Sequence, residues 1–192
     1  MFVKSLCTVT EVHSLRKITI TFPIALFILY FFSQSSKEFP NALLCLIASC
    51  GIFQTKLLKL SVPILIRGSI VLGDLYANGD ITFGPGLTQA YLLEEKGAKY
   101  PRIIMTASTF NEGLLGTRDV IQDQMKQLVF CDFDDFYCID YLSFLTIDEN
   151  TTPLCINQLR DHINNVLATT TTSDIREKYL YLKNYYNRIF QR

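Results

Sequence analysis

The chain has 192 residues, with Lys+Arg and Asp+Glu equal at 18 each and a formal net charge of zero. Hydrophobic residues at 49 % against charged residues at 19 % exclude a disordered tail, and the charge balance supplies no basic footprint for nucleic acid. This length predicts a single domain over 1–192, with 14 Phe and ten Tyr to fill a core. The six cysteines (Cys7, Cys45, Cys50, Cys131, Cys138, Cys155) form no C-x-x-C pair, and only His13 and His162 accompany them. That spacing suits neither zinc nor a disulfide framework. Reduced cysteines in a cytoplasmic protein are expected.

In chain order, Ile18–Phe32 comes first as an apolar stretch of 15 residues. A membrane-spanning helix needs about 20. β-Branched and aromatic residues around Pro23 favour a buried strand or strand pair, neither cleaved nor membrane-spanning. An anchor or signal segment is the alternative. Residues 39–59 carry Leu43, Leu46, Ile47, Cys50, Phe53 and Leu57 at helical spacing. From Pro63 the pattern changes to period two, with Ile64, Ile66, Gly68, Ile70 and Leu72 on one face and Arg67 and Ser69 on the other. Asn78-Gly79 is a strong hairpin signal, so residues 64–83 are predicted to form an antiparallel pair. Gly84-Pro85 then opens a helix over 85–96, whose Leu87, Ala90 and Tyr91 face is predicted to pack on that sheet.

Residues 100–105 read as a strand, 118–128 as a polar helix, and Cys131–Leu145 as a strand or pair around Phe136–Ile139. Ile156, Leu159, Ile163, Val166 and Leu167 mark a helix. Thr169–Ser173 reads as a loop. Asp174 and Glu177 have capping-box spacing ahead of a last helix with the stripe Ile175, Tyr179, Leu182, Tyr186, Ile189. The mixture predicts an α+β fold.

Local chemistry is sparse, with no P-loop, G-x-S-x-G, H-E-x-x-H or EF-hand pattern. Asp132, Asp134 and Asp135 form the acidic run DFDDF, which reads as a solvated turn and, as the weaker alternative, as a Mg²⁺ site. Arg67 and Arg102 are candidates to hold phosphate oxygens. Their plainer reading is surface ion pairing.

Taken together, residues 64–105 resemble a known family. The order is Ile64-Leu65-Ile66-Arg67-Gly68-Ser69-Ile70, then Gly73, then Phe83-Gly84-Pro85-Gly86-Leu87, Ala90-Tyr91, Leu93-Glu94 and Ala98-Lys99-Tyr100-Pro101-Arg102-Ile103. This run resembles the second half of the bacterial pyrimidine (cUMP/cCMP) cyclases of the Pycsar anti-phage systems, a branch of the class III nucleotidyl cyclase superfamily. Asp132-Phe133-Asp134 with Ile139–Leu142, and Lys178, Tyr179, Leu182, Tyr186 and Asn187, resemble its next strand and closing helix. The resemblance covers roughly residues 60–192.

It implies a partial ferredoxin-like, cyclase-type antiparallel sheet with packed helices. Within 1–192 it divides the chain into a poorly matching remnant at 1–38, a core at 39–145 and C-terminal helices at 146–192. It also implies a nucleoside triphosphate as partner, Mg or Mn as cofactor, and a homodimer or pairing with a full-length cyclase. The family converts a pyrimidine nucleoside triphosphate to a 3′,5′-cyclic nucleotide for antiviral signalling. Its metals are held by two aspartates, which cannot be assigned here. Ile24 falls at the position of one of them, and a hard divalent cation takes no ligand from isoleucine. Thr88 and Leu92 fall at the superfamily's transition-state Asn and Arg. The N-terminal part is therefore read as truncated or frameshifted and the chain as catalytically impaired. The alternatives are an active cyclase with ligands from a partner chain or from Asp132–Asp135, and a non-enzymatic, membrane-anchored or interaction protein.

Overall fold

Alternation along residues 68–74 sends Ile70 to one face of a sheet and Ser69 and Val71 to the other, and all three are buried. A strand buried on both faces needs cover on both, and helices supply it. The computed structural model describes residues 16–21, 42–74, 76–78, 81–115, 117–146 and 152–191. The elements in order are β1 (Arg16–Thr21), α1 (Ala42–Leu58), β2 (Gly68–Asp74), β3 (Tyr76–Asn78), β4 (Ile81–Phe83) and α2 (Pro85–Gly97). Then follow β5 (Ile103–Met105), α3 (Ala107–Leu114), α4 (Asp119–Gln127), β6 (Val129–Cys131), β7 (Tyr137–Ile139), a 3₁₀ turn (Ser143–Thr146), α5 (Thr152–Thr169) and α6 (Ser173–Phe190). The fold is α+β, as predicted.

Among the described residues the main sheet runs β1-β2-β5-β7-β6. Its joins are antiparallel except for β2 with β5, which are parallel, Gly68 facing Ile103. The expected antiparallel sheet is thus corrected to a mixed one. The reason is α2, which carries the chain back along the sheet before β5 begins, so β5 runs in the direction of β2. One face holds the larger core. Ile70, Ile103, Met105 and Ile139 meet Leu46 and Ile47 of α1, Phe110 of α3, Met125 of α4, Leu159 and Ile163 of α5, and Leu182 and Tyr186 of α6. The other face holds a smaller cluster of Ala98, Ile104 and Cys138 with Leu93, Phe130 and Phe136.

The predicted pair over 64–83 divides differently. β3 and β4 do form a short antiparallel hairpin, Asn78 opposite Ile81, while Gly79 lies outside the described residues. β2 takes β1 as its antiparallel partner, Ile18 opposite Leu72. Ile64 lies ahead of the strand, its N–H bonded to the Leu57 carbonyl at the end of α1. The N-terminal strand beside β2 is present over Arg16–Thr21, and the rest of the expected 18–32 stretch, with Ile24, lies outside the described residues. Among the described residues no helix is long and apolar enough to cross a membrane.

Helix α2 matches its predicted span, but its buried face is Gly86, Ala90 and Glu94, and Tyr91 points outward at 56 % exposure. Helix α3 was not predicted. Its start is set by Thr106, whose hydroxyl accepts from the Thr109 N–H at 3.1 Å. In α6 the buried residues are Leu182, Tyr185 and Tyr186, whereas Ile175 is exposed. The capping box is replaced by pairing in other directions. Thr172 is the N-cap without a side-chain bond, Asp174 pairs with Lys178, and Glu177 reaches the loop before β5.

Gly84, at φ 147°, sits in a conformation that favours glycine and turns the chain into α2. The first turn of α2 then lies against the end of β2 so closely that a Cβ on Gly73 would stand 2.8 Å from the Gly86 Cα. Both sides of that contact are backbone and neither can rotate away. Gly73→Ala is expected to cost about 1–3 kcal/mol, seen as a lower urea midpoint at unchanged slope, whereas exposed Thr88→Ala leaves the midpoint in place. An unchanged midpoint for Gly73→Ala would contradict this packing.

Candidate functional site

Arg67 stands just before β2, with Glu94 beneath it on the buried face of α2. Its Nε lies 2.7 Å from Glu94 Oε1, and one terminal nitrogen donates to the Ala98 carbonyl at 3.3 Å. The Glu94 side chain is 5 % exposed. The ion pair is off the N–H axis, so Oε1 accepts no aligned hydrogen bond among the described residues. Sequence reading placed Glu94 on the helix without a role. The signal was the i, i+4, i+8 spacing Gly86, Ala90, Glu94, which puts an acid on a face otherwise made of small residues.

Arg102 is 1 % exposed and lies ahead of β5. Its guanidinium fits between Asp132 and Asp134 in the β6–β7 turn, pairing with both, and Nη1 donates to Asp134 Oδ1 at 3.0 Å. The Cys138 sulfur lies 3.7 Å from the same nitrogen. The turn holds its shape through bonds from Asp135 N–H to the Asp132 carbonyl and from Phe133 N–H to Asp132 Oδ1, with Asp135 at φ 62°. Three rings surround the cation, with Tyr100, Phe133 and Tyr181 centroids 5.4–5.5 Å from Cζ. Tyr181 stacks on Tyr100 at 4.5 Å and donates to Asp132 Oδ2 at 2.6 Å. Glu177 accepts from Lys99 and Tyr100 at 2.6 and 3.0 Å, completing the link to α6.

The surface ion pairs expected of Arg67 and Arg102 are thus corrected to one half-buried and one fully buried pair, with no partner in common. The solvated turn expected of DFDDF is a cradle for a buried guanidinium, although Phe133 at its tip is 69 % exposed. Burial would lower the Arg102 pKa. Its hydrogen bond to Asp134 and the charges around it, Asp132 among them, together outweigh burial, so the group stays charged. Burial also raises the Cys138 thiol to about 12, which leaves it un-ionised and unreactive. Burial first, and then the bond to Asp132, raise the Tyr181 phenol above its ordinary range.

This arrangement suits neither of the ligands considered for it. The carboxylates of Asp132 and Asp134 are taken up by Arg102, Tyr181 and the Phe133 N–H, so a divalent cation would first have to expel a guanidinium. Among the described residues no three His, Cys, Asp or Glu side chains gather as a metal-holding group. The residues described here therefore do not fit the Mg or Mn of the resembled family. A phosphate at Arg102 would have to displace two carboxylates. The cluster joins β5, the β6–β7 turn and α6, and its action is structural. Comparison with family models, with curated proteins and with solved structures finds no match for this chain.

Replacing Arg102 by Leu leaves two carboxylates facing one another without a counter-charge. The loss expected is about 3 kcal/mol in chemical unfolding. Arg102→Lys is expected to recover less than half of it, because an ammonium cannot serve both carboxylates as a fork. Full recovery by Lys would show that charge alone matters. On the alkaline side, buried Tyr141 and Tyr185 and half-buried Tyr181 all have raised phenol pKa values, desolvation being the main cause. A raised folded pKa gives stability that is present below the unfolded value of about 10 and is lost as pH rises above it. Absorbance titration is expected to show these phenols ionising late, together with loss of near-UV circular dichroism. Ionisation of every tyrosine near pH 10 with the fold intact would contradict the burial.

Proposed function

We propose that the chain is a nucleotide-cyclase-family protein, related to the pyrimidine cyclases of anti-phage signalling and catalytically impaired on its own. The observation that carries the reading is the resembling run from Arg67 to Arg102. It is specific in its order of residues, and it coincides with a set of consecutive elements, β2, the β3–β4 hairpin, α2 and the approach to β5. The glycines of that run have physical tasks in the unit. Gly84 makes the turn, and Gly73 and Gly86 allow the close contact of strand and helix. In this reading the sheet is a partial cyclase-type, ferredoxin-like sheet in a cytoplasmic protein. A nucleoside triphosphate is its small-molecule partner, and a second cyclase-like chain pairs with it.

Impairment follows from the ligand chemistry. Ile24 occupies an expected aspartate position, and Asp132 and Asp134 are committed to Arg102. With isoleucine at one expected ligand position and these two aspartates committed, charge compensation and alignment fail together, and rate losses of several powers of ten are expected. Purified protein given UTP, CTP, ATP or GTP with Mg²⁺ or Mn²⁺ is expected to form no cyclic nucleotide, while equilibrium dialysis detects UTP or CTP binding. Product formation would overturn the impairment. Absence of both binding and turnover would remove the nucleotide reading.

A further inference from the structure

The two C-terminal helices carry a matched pattern that the arginine clusters do not use. On α5 the order is Arg160, Ile163, Asn164, and on α6 it is Lys183, Tyr186, Asn187. Each is a cation, a large apolar body three residues on and an asparagine four residues on, a spacing that puts all three on one face of the helix. The helices run antiparallel, as the contacts of Ile156 with Tyr186 and of His162 with Tyr179 require. Antiparallel packing sets the cation of each helix across from the asparagine of the other. At one end the pair is made, Lys183 Nζ donating to Asn164 Oδ1 at 3.2 Å. The same offset brings Arg160 across from Asn187 at the other end, and there the two side chains make no bond to one another. A cleft of about 270 Å³ lies between the helices, with buried Ile163 and Tyr186 as its floor and Arg160, Asn164, Lys183 and Asn187 in its walls.

The groups left without partners define the ligand. Arg160 uses only Nε, which meets Asp161 at 3.1 Å, and its two terminal nitrogens bond nothing among the described residues. Lys183 uses one of its three N–H groups, on an amide oxygen, and has no carboxylate partner among the described residues. The Asn187 side chain is likewise unbonded there. The Tyr186 hydroxyl is occupied, donating to the Ile156 carbonyl at 3.3 Å. Asp161 is outside the lining and its side chain is 69 % exposed, so water screens it. Two positive charges and a surplus of donors, supplied by both walls, suit a group made of acceptors that carries about two negative charges. A phosphate monoester has that character near neutral pH, with a charge of about −1.5 to −2. A cation is repelled by both walls.

We infer that the α5–α6 cleft is an oxyanion site for a phosphate group, with Arg160 as a planar fork, Lys183 as a point charge and the Asn187 amide as a further donor. The group is the phosphate of a small soluble molecule or of a lipid headgroup, which present the same chemistry to these residues. The site shares no residue with the run from Arg67 to Arg102, and the inference stands independently of the nucleotide reading.

The test is side-chain amide NMR on the full chain at fixed ionic strength, following Asn164 and Asn187 during titration with inorganic phosphate, pyrophosphate and succinate. Both phosphates are expected to shift the two amides, and succinate to bind more weakly. Arg160→Gln and Lys183→Gln are each expected to weaken phosphate binding about tenfold, and Lys183→Arg, which keeps the charge, to retain it. Asp161→Asn, which releases the guanidinium from its acid partner, is expected to tighten binding. Arg160 is exposed and Lys183 half-buried, so these variants are expected to fold normally, which their spectra report directly. Vesicles of phosphatidylcholine with and without phosphatidic acid separate the two sources. Co-sedimentation that needs phosphatidic acid and is lost in Arg160→Gln supports a headgroup, and binding confined to the soluble phosphates supports a small molecule. Phosphate binding that is indifferent to both Gln variants overturns the inference, as does succinate binding as tight as phosphate. Absence of binding by phosphate, pyrophosphate and phosphatidic acid vesicles alike also overturns it.

Discussion

One buried cation, the Arg102 guanidinium, ties together parts of the chain that are otherwise far apart in sequence. Its backbone carbonyl accepts from Gly68 N–H at the start of β2, and its side chain pairs with two carboxylates of the β6–β7 turn. The preceding residues extend the tie. The Pro101 carbonyl accepts from the Tyr141 hydroxyl, and Tyr100 stacks on Tyr181 of α6. A charge removed from water costs several kcal/mol, and its attraction to fixed partners offsets that only when the geometry is right. The pair is therefore better understood as a device for specificity. It admits one register of the turn, one docking of α6 and one approach of β5.

Much of the fold was legible in residue pattern and much of the site was not. Helices α1 and α2 follow from apolar residues repeating every three or four positions, and β5 from a short apolar run after Pro101. Strand pairing did not follow. Which strand lies beside β2 is decided by where α2 returns the chain and by β1, far upstream, and neither is encoded within residues 64–83. Tyr91 illustrates a related limit. It fits the helical period as well as Glu94 does, and hydrophobicity favours it for burial. The strand surface under α2 takes small residues at Gly86 and Ala90, and the acid at the end of that row is buried because Arg67 waits there.

The arginines show where sequence reading has least reach. Arg102 and its two aspartates stand thirty and more residues apart, and nothing local marks them as partners. DFDDF has the composition of a solvated turn, and by backbone geometry it is a turn. The carboxylates of Asp132 and Asp134 face inward, where the guanidinium of Arg102 pairs with both, while Asp135 is exposed. Helix α3 was missed for a different reason. It is short and mixed in composition, and the one signal of its start is the Thr106 cap.

The contact between Gly73 and Gly86 has a consequence for how this molecule can change over evolutionary time. It closes the base of the β3–β4 excursion by backbone packing alone, independently of what the hairpin contains. A loop whose ends are pinned in this way can lengthen cheaply, since each doubling costs only about 0.6 kcal/mol of closure entropy. The hairpin is therefore a position at which length and sequence can drift while the strand and the helix keep their places.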